Sequence, residues 1–315
     1  MCPKIVLIGA GSAVFSQRLL MDLASMPCLA GSTVALVDID RERLGLITRW
    51  ARRLVRDSGA DLRILSTADR RRVLEGADYV ISSIDVAFRS RLRDLEVCAK
   101  YGIVQGVGDT VGPAGMFKGF RVAPVLVEIA RDMERLCPDA WFLNHSNPMA
   151  ICCRCVNLAT GIRTLGLCHG VEGTVRLIAR TIGLEPEDLD YVAAGVNHLT
   201  WLLSVTHKGR DVYPELRRRM EDPEVFAQQP LRFELLQTFG YLPTESDMHD
   251  AEYMPYFLHP DRWERYGLRT RIMNHLERLR SRPDDYAERV TGQLASKEPL
   301  KALRRSHERT VRIIE

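Results

Sequence analysis

Lys4-Ile5-Val6-Leu7-Ile8-Gly9-Ala10-Gly11-Ser12 is an unbroken apolar run that ends in a glycine turn, and a helical pattern follows from Val14 to Leu23. A strand buried on both faces requires such a run, and glycines permit a sharp turn with close backbone approach. The alternation continues down the chain. Val34-Ala35-Leu36-Val37 ends in Asp38-Ile39-Asp40 and precedes an amphipathic helix over residues 42–55. Residues 62–65 precede a short helix near 70–74, and residues 79–84 read as another buried strand. A glycine-rich stretch over 102–119 feeds a helix over 120–136. Trp141-Phe142-Leu143 and Thr164-Leu165-Gly166-Leu167 then read as strands ending at Asn144 and Cys168.

Strands alternating with helices predict an α/β fold, a Rossmann-type doubly wound parallel sheet of the lactate/malate dehydrogenase kind. Near Asn197 the texture changes. Trp201-Leu202-Leu203-Ser204-Val205 reads as a strand with a turn at Lys208-Gly209, and beyond Tyr213 the sequence is mostly helical and rich in arginine. Two domains are expected: residues 1–197 for nucleotide binding, and residues 198–315 as a mostly helical α+β substrate and metal domain.

Composition narrows the function classes. Of 315 residues, 46% are hydrophobic and 27% charged, as in a soluble globular protein. A net charge of +3, from 44 basic and 41 acidic residues, gives no electrostatic argument for nucleic acid or membrane as a partner. No apolar run approaches the ~20 residues of a membrane span, and no signal-peptide pattern opens the chain, so a cytoplasmic location is expected. Eight scattered cysteines read as reduced thiols. The runs Arg70-Arg71-Arg72 and Arg217-Arg218-Arg219 read as solvated helix faces.

Gly9 and Gly11, with Ser12, stand where a dinucleotide pyrophosphate would meet a helix N-terminus, although Val14 takes the place of the third glycine of that motif. Asp38, closing the second strand, suits a ribose 2′-hydroxyl and repels a 2′-phosphate, which favours NAD over NADP. A tight turn without ligand, with Asp38 as a helix cap, is the plainer alternative. Other strand ends are also polar: Ser83 and Asp85, Asp109, Asn144, Asn147-Pro148, Cys168-His169 and Asn197-His198. Each alone has an ordinary explanation as turn former, cap or buried core residue. Ligands of doubly wound sheets lie at the carboxyl ends of strands, so the set points to a site, with Ser83 and Asn144 joining the cofactor residues. Cys168 and His198 suit zinc, manganese, iron or nickel and leave coordination positions open.

These segments resemble the NAD- and divalent-metal-dependent glycosidases of glycoside hydrolase family 4. The likeness is carried by Gly9-Ala10-Gly11-Ser12, Gly108-Asp109-Thr110-Val111-Gly112-Pro113, Asn144-His145-Ser146-Asn147-Pro148-Met149, Gly166-Leu167-Cys168-His169-Gly170 and Gly195-Val196-Asn197-His198. It runs from residue 4 to about 260. The branch it looks closest to acts on non-phosphorylated α-linked galactosides, glucosides or hexuronides. The resemblance implies transient oxidation of the sugar at C3 by NAD, loss of the C2 proton and elimination of the C1 oxygen, with Mn²⁺ or another divalent metal as Lewis acid. It implies Cys168 and His198 as metal ligands, Asn147 and His169 as substrate-binding residues, and Asp109 as the leaving-group acid, which requires a proton held near neutral pH. For the C2 base it points to the segment over 244–253, with Asp247 first and Tyr253 second; a helix start capped by Ser246 is the structural alternative. A carbohydrate is the expected partner, and a homodimer or homotetramer the expected assembly. Relatives are longer, so the chain is expected to be C-terminally shortened. A net NAD-dependent oxidoreductase of the lactate/malate dehydrogenase type and a non-catalytic NAD-binding remnant remain open alternatives.

Overall fold

Six strands form one parallel sheet: β1 (Lys4–Ile8), β2 (Ser32–Val37), β3 (Leu62–Thr67), β4 (Tyr79–Ser82), β5 (Trp141–Asn144) and β6 (Thr164–Gly166). Their spatial order is β3-β2-β1-β4-β5-β6, which is the doubly wound order expected from the sequence. The order reverses at β1, where Leu7 lies opposite Leu36 on one side and Ile81 on the other. This computed structural model describes residues 2–12, 15–281, 285–301 and 313–314.

The apolar run of β1 serves two cores because successive side chains point to opposite faces. Ile5 and Leu7 join Leu19, Leu23, Leu36, Ile47 and Trp50 on one side. Val6 and Ile8 join Val80, Leu126, Met133 and Phe142 on the other. The long helix Gly112–Leu136 begins well before residue 120, its expected start. Pro113 is tolerated there because the N–H it lacks is one that a helix start leaves unpaired anyway. Helices at Ser90–Lys100, Met149–Ala159 and Gly170–Ile182 were not read from the sequence.

The chain packs as two compact units, each discontinuous in sequence. The first comprises Met1–Ala87, Gly119–Leu167 and Pro283–Glu315; the second comprises Phe88–Lys118 and Cys168–Arg282. A single cut at residue 197 falls inside the second of these units. It would separate β7 (Leu189–Val196) from β8 (Leu199–His207), which are antiparallel partners from Leu189↔His207 to Val196↔Leu199. A short β9 (Arg210–Asp211) returns along β8 through Lys208-Gly209, both at positive φ, as the expected turn requires. β10 (Leu242–Pro243) pairs with β8 on the edge opposite β7. Helices surround this sheet, and Val175, Ile178, Leu202, Val205, Leu216, Phe233 and Leu236 fill its core.

In the first unit the late helix Tyr286–Ala295 lies against Arg41–Ser58. Tyr286 and Val290 are buried in the same core as Leu20 and Trp50. The Arg53 guanidinium donates to the carbonyls of Gln293, Leu294, Ser296 and Glu298 at 2.7–2.8 Å. Arg71 and Arg72 are exposed, as a solvated face requires, whereas Arg70 is part-buried; Arg70 and Arg71 both pair with buried Asp132. Arg218 and Arg219 do lie at the surface, paired with Glu215. All eight cysteines are free. Among the described residues no helix is long and apolar enough to cross a membrane.

Candidate functional site

At the carboxyl end of β1, Gly9 takes φ +87°, and a Cβ there would lie 2.9 Å from the carbonyl carbon and oxygen of Ser83. That contact and that φ both exclude a side chain, so the strand switch point is held open by glycine. Gly11 N–H donates to Asp38 Oδ2 at 2.7 Å, while Asp38 Oδ1 accepts from Asp40 N–H at 2.9 Å. Asp40, and not Asp38, caps the helix Arg41–Ser58. An ionised carboxylate offers about four lone-pair sites, so Asp38 retains acceptor capacity for a ribose. Ser83 Oγ donates to Gly9 O at 3.3 Å, and Ser12 N–H donates to the same carbonyl at 3.2 Å. Asn144 is buried, and its amide exchanges two 3.0 Å hydrogen bonds with the backbone of Ser146. It shapes the loop that leads to half-buried Asn147. Residues 13 and 14, including Val14, lie outside the described residues.

The second unit gathers a different chemistry. Cys168 Sγ, at the end of the loop after β6, donates to Glu245 Oε1 at 2.9 Å, and Gly170 N–H donates back to the sulfur at 3.4 Å. His198, in the tight connection between β7 and β8, takes φ +65°, and its Nε2 is 3.8 Å from the same Glu245 oxygen. Two triads of donor atoms, each within 4.8 Å of one another, share this histidine: Cys168-His198-Glu245 and Asp109-His198-His249. A thiol, an imidazole and a carboxylate converging in this way fit a divalent transition metal.

Thr110 links the triads. Its Oγ1 donates to Asp109 Oδ1 at 2.9 Å and lies 2.6 Å from His198 Nδ1. The Arg91 guanidinium stands 3.9 Å from Asp109 Oδ2. Burial alone would raise the Asp109 carboxyl, but the charges of Arg91 and Lys118, with His249 and His198, hold it down at about 2. It is therefore ionised near neutral pH, whereas a leaving-group acid would have to hold a proton there. An ionised Asp109 cannot donate, so Thr110 gives its proton to Asp109 and accepts one from His198 Nδ1–H. That leaves the lone pair of His198 on Nε2. Replacing Thr110 with valine should weaken Mn²⁺ binding by roughly 10- to 100-fold, the usual cost of losing an outer partner of a metal-bound histidine; titration with Mn²⁺ checks this, and unchanged affinity would show that the histidine needs no such partner.

Cys168 is pushed up to about 12 by burial and by the charge and hydrogen bond of Glu245, so without a cation it stays a thiol. His249 is lowered to about 4 by burial and by His198 and stays neutral, with no hydrogen-bond partner for its buried Nδ1 among the described residues. Glu252 accepts the N–H groups of Val107 and Gly108 at 2.6 and 2.8 Å and so positions the loop bearing Asp109.

Asp247 is not among these donors. It is fully buried at the start of the helix Asp247–Tyr253, where Oδ1 accepts from Arg232 N–H and Oδ2 pairs with Arg271 at 2.9 Å. Ser246 occupies the N-cap position without a side-chain cap hydrogen bond. Tyr253 donates its hydroxyl to Asn197 O at 2.7 Å, one residue before His198. Burial, then the negative charges of Glu252, Asp109 and Glu245, push its phenol up to about 12. His169 is half exposed at the N-cap of Gly170–Ile182, 3.9 Å from Glu172, and stands outside both triads. Sequence reasoning missed Thr110, Glu245 and His249. All three lie inside segments it had singled out, but only the turn geometry reveals which side chains meet.

Residues 4–184 match the family 4 glycosyl hydrolase model, and residues 193–315 match the C-terminal domain of the same family. An α-galactosidase of Bacillus subtilis (strain 168) is 36% identical over 323 residues, covering 94% of this chain and 74% of its own length. An α-galacturonidase of Thermoanaerobacter italicus is 33% identical over 284 residues, covering 81% of this chain and 60% of its own. A solved 6-phospho-α-glucosidase from gut microorganisms, in complex with NAD and Mn²⁺, superposes with a TM-score of 0.81 at 20% identity over 100% of this chain and 74% of that one. At that identity the likeness concerns the fold alone.

Proposed function

Because the chain belongs to family 4 of the glycosyl hydrolases, we propose that it hydrolyses non-phosphorylated α-glycosides, galactosides or galacturonides first, with NAD and a divalent metal such as Mn²⁺. The observation that carries this reading is the convergence of Cys168 and His198 with a carboxylate within 4.8 Å. The glycine cradle at Gly9 and Gly11 fits a dinucleotide, and the thiol-imidazole pair fits the metal. The similarity to an α-galactosidase and an α-galacturonidase supports the substrate class. Free thiols throughout suit a reducing compartment, and we place the reaction in the cytoplasm.

NAD supplies a hydride acceptor for the C3 position of the sugar. A divalent cation supplies Lewis acidity toward neighbouring sugar oxygens. The chain's own residues do the rest. Gly9 and Gly11 let the backbone approach the pyrophosphate, with Ser12 and Ser83 beside them, and Asp38 offers its remaining lone pairs to ribose hydroxyls. Cys168 and His198 hold the cation, and Thr110 with Asp109 keeps His198 Nε2 unprotonated. Asn147 hydrogen-bonds the sugar, with His169 as a second contact. Of the two residues proposed for the C2 proton, Tyr253 is favoured, since both Asp247 oxygens are occupied by Arg232 and Arg271. Neutralising the charge on Glu245 would bring the Tyr253 phenol down from about 12.

Incubation with NAD, Mn²⁺, a reductant and nitrophenyl α-glycosides tests this reading. Nitrophenol should be released without net accumulation of NADH, and more slowly when the sugar carries deuterium at C2. Stoichiometric NADH without glycoside cleavage would instead indicate a net oxidoreductase. No release from any glycoside, at confirmed NAD occupancy, would refute the proposal.

A further inference from the structure

His198 belongs to both donor triads but has only one lone pair to give. Its Nδ1 faces Thr110 Oγ1 at 2.6 Å, and the Thr110 hydroxyl proton is committed to Asp109. The available nitrogen is therefore Nε2, and Nε2 faces Glu245 Oε1 at 3.8 Å. That oxygen is also 2.9 Å from Cys168 Sγ. Ligand atoms around one first-row cation, at the bond lengths typical of S, N and O donors, stand about 3 to 3.6 Å apart. The observed separations bracket that range. Asp109 acts on His198 through the Thr110 hydroxyl, and the His249 ring packs against that of His198 with centroids 4.3 Å apart.

The backbone at Glu245 takes φ +84°, a left-handed conformation that is strained for a residue with a Cβ and suits glycine or asparagine better. The side chain aimed at Cys168 and His198 nevertheless belongs to a glutamate. Opposite it, a Cβ at Gly170 would overlap the Glu245 carboxylate, so the start of the helix Gly170–Ile182 is cut back to admit that group. The carboxylate itself is largely shielded, with 16% of its side chain exposed.

We propose that Glu245 is a third protein ligand, completing with Cys168 and His198 a mixed sulfur, nitrogen and oxygen site for the divalent cation. This rests on the metal-dependent reading above and extends it. When the cation enters, the Cys168 S–H bond breaks, its proton leaves to solvent, and the thiolate and the Glu245 carboxylate both face the metal. The hydrogen bond between Cys168 and Glu245 holds the two ligands in place in the metal-free protein. The carboxylate also hardens an otherwise sulfur-nitrogen set, in favour of Mn²⁺ over softer ions.

Titration of the full chain with Mn²⁺, followed by the electron paramagnetic resonance signal of free Mn²⁺, tests this without any turnover. Glu245→Gln should weaken Mn²⁺ binding by about 100-fold, at the upper end of what outer-shell changes cause, and Glu245→Asp by less. NAD binding should remain at the wild-type level in both. Cys168→Ser separates the two ideas. Lost Mn²⁺ affinity in Cys168→Ser with unchanged affinity in Glu245→Gln would overturn the third ligand and leave the metal-dependent reading standing. Unchanged affinity in Cys168→Ser would overturn both. Should Glu245→Gln fail to fold, Glu245→Asp decides, and wild-type affinity there overturns the proposal.

Discussion

Replacing Arg232 with leucine is expected to destabilise the second unit by about 3 to 5 kcal/mol, the range for removing one partner from a buried charge cluster. Arg232 lies in the helix Pro230–Phe239 and is 2% exposed. Its guanidinium donates to Pro243 O at 2.7 and 3.1 Å and to Thr174 Oγ1 at 2.8 Å, and its Nε stands 3.9 Å from Asp250 Oδ2. Burial depresses the guanidinium's affinity for its proton, and Asp250, Asp247 and Glu245 restore it. The carboxyl of Asp250 is itself pushed well above its usual range by burial, and only Arg232 draws it back down. Without the arginine, Asp250 becomes protonated in the folded state. A carboxyl whose folded pKa is raised stabilises the fold most below its unfolded pKa, and that contribution is lost as pH rises through the folded value. The deficit of the leucine variant should therefore be smaller at about pH 5 than at about pH 8. Urea denaturation at both values checks this. A loss below about 1 kcal/mol, equal at the two pH values, would show that the cluster does not depend on its cation.

The second large effect concerns Gly9. Gly9→Ala should cost about 2 to 4 kcal/mol, combining the left-handed conformation with a Cβ pressed against the Ser83 backbone. Gly59 provides the comparison. It also takes a positive φ, +69°, at the end of the helix Arg41–Ser58, but a Cβ there meets nothing within 4 Å. Gly59→Ala should therefore show the conformational cost alone, about 1 kcal/mol. NAD at about 100 times its Kd should raise the unfolding free energy of the wild type and of Gly59→Ala by about 2.7 kcal/mol and leave Gly9→Ala almost unchanged. An undiminished response in Gly9→Ala would place the nucleotide elsewhere.

The sheet was legible because parallel strands buried on both faces read as unbroken apolar runs, and because Gly9 and Asp38 close adjacent strands. Helices with weaker signals were not. Gly170–Ile182 opens on glycine and carries another at Gly173, so its buried face of Thr174, Val175, Ile178 and Ile182 is masked at its beginning. In the metal set, Cys168 and His198 were found because each follows a strand. His198 does not end a sheet, however; it sits at positive φ in a two-residue link between antiparallel partners. Asp247 was favoured, with Tyr253 second, on the family resemblance of the segment over 244–253, and Glu245 was not singled out. The left-handed residue at 245 reverses the chain, sending Glu245 to Cys168 and Asp247 into Arg232 and Arg271, and no local residue pattern encodes that reversal.

The helix Tyr286–Ala295, held by the Arg53 guanidinium, bears on how the protein is made. Tyr286 and Val290 complete the core begun by Ile5 and Leu7, yet they are translated after the whole of the second unit. During synthesis the emerging β1 to β6 sheet has to wait, with one apolar face incompletely covered, while the stretch 168–282 leaves the ribosome and folds as an insertion. The first unit thus starts to emerge before the second and is completed after it, and its most exposed moment lies between those two events.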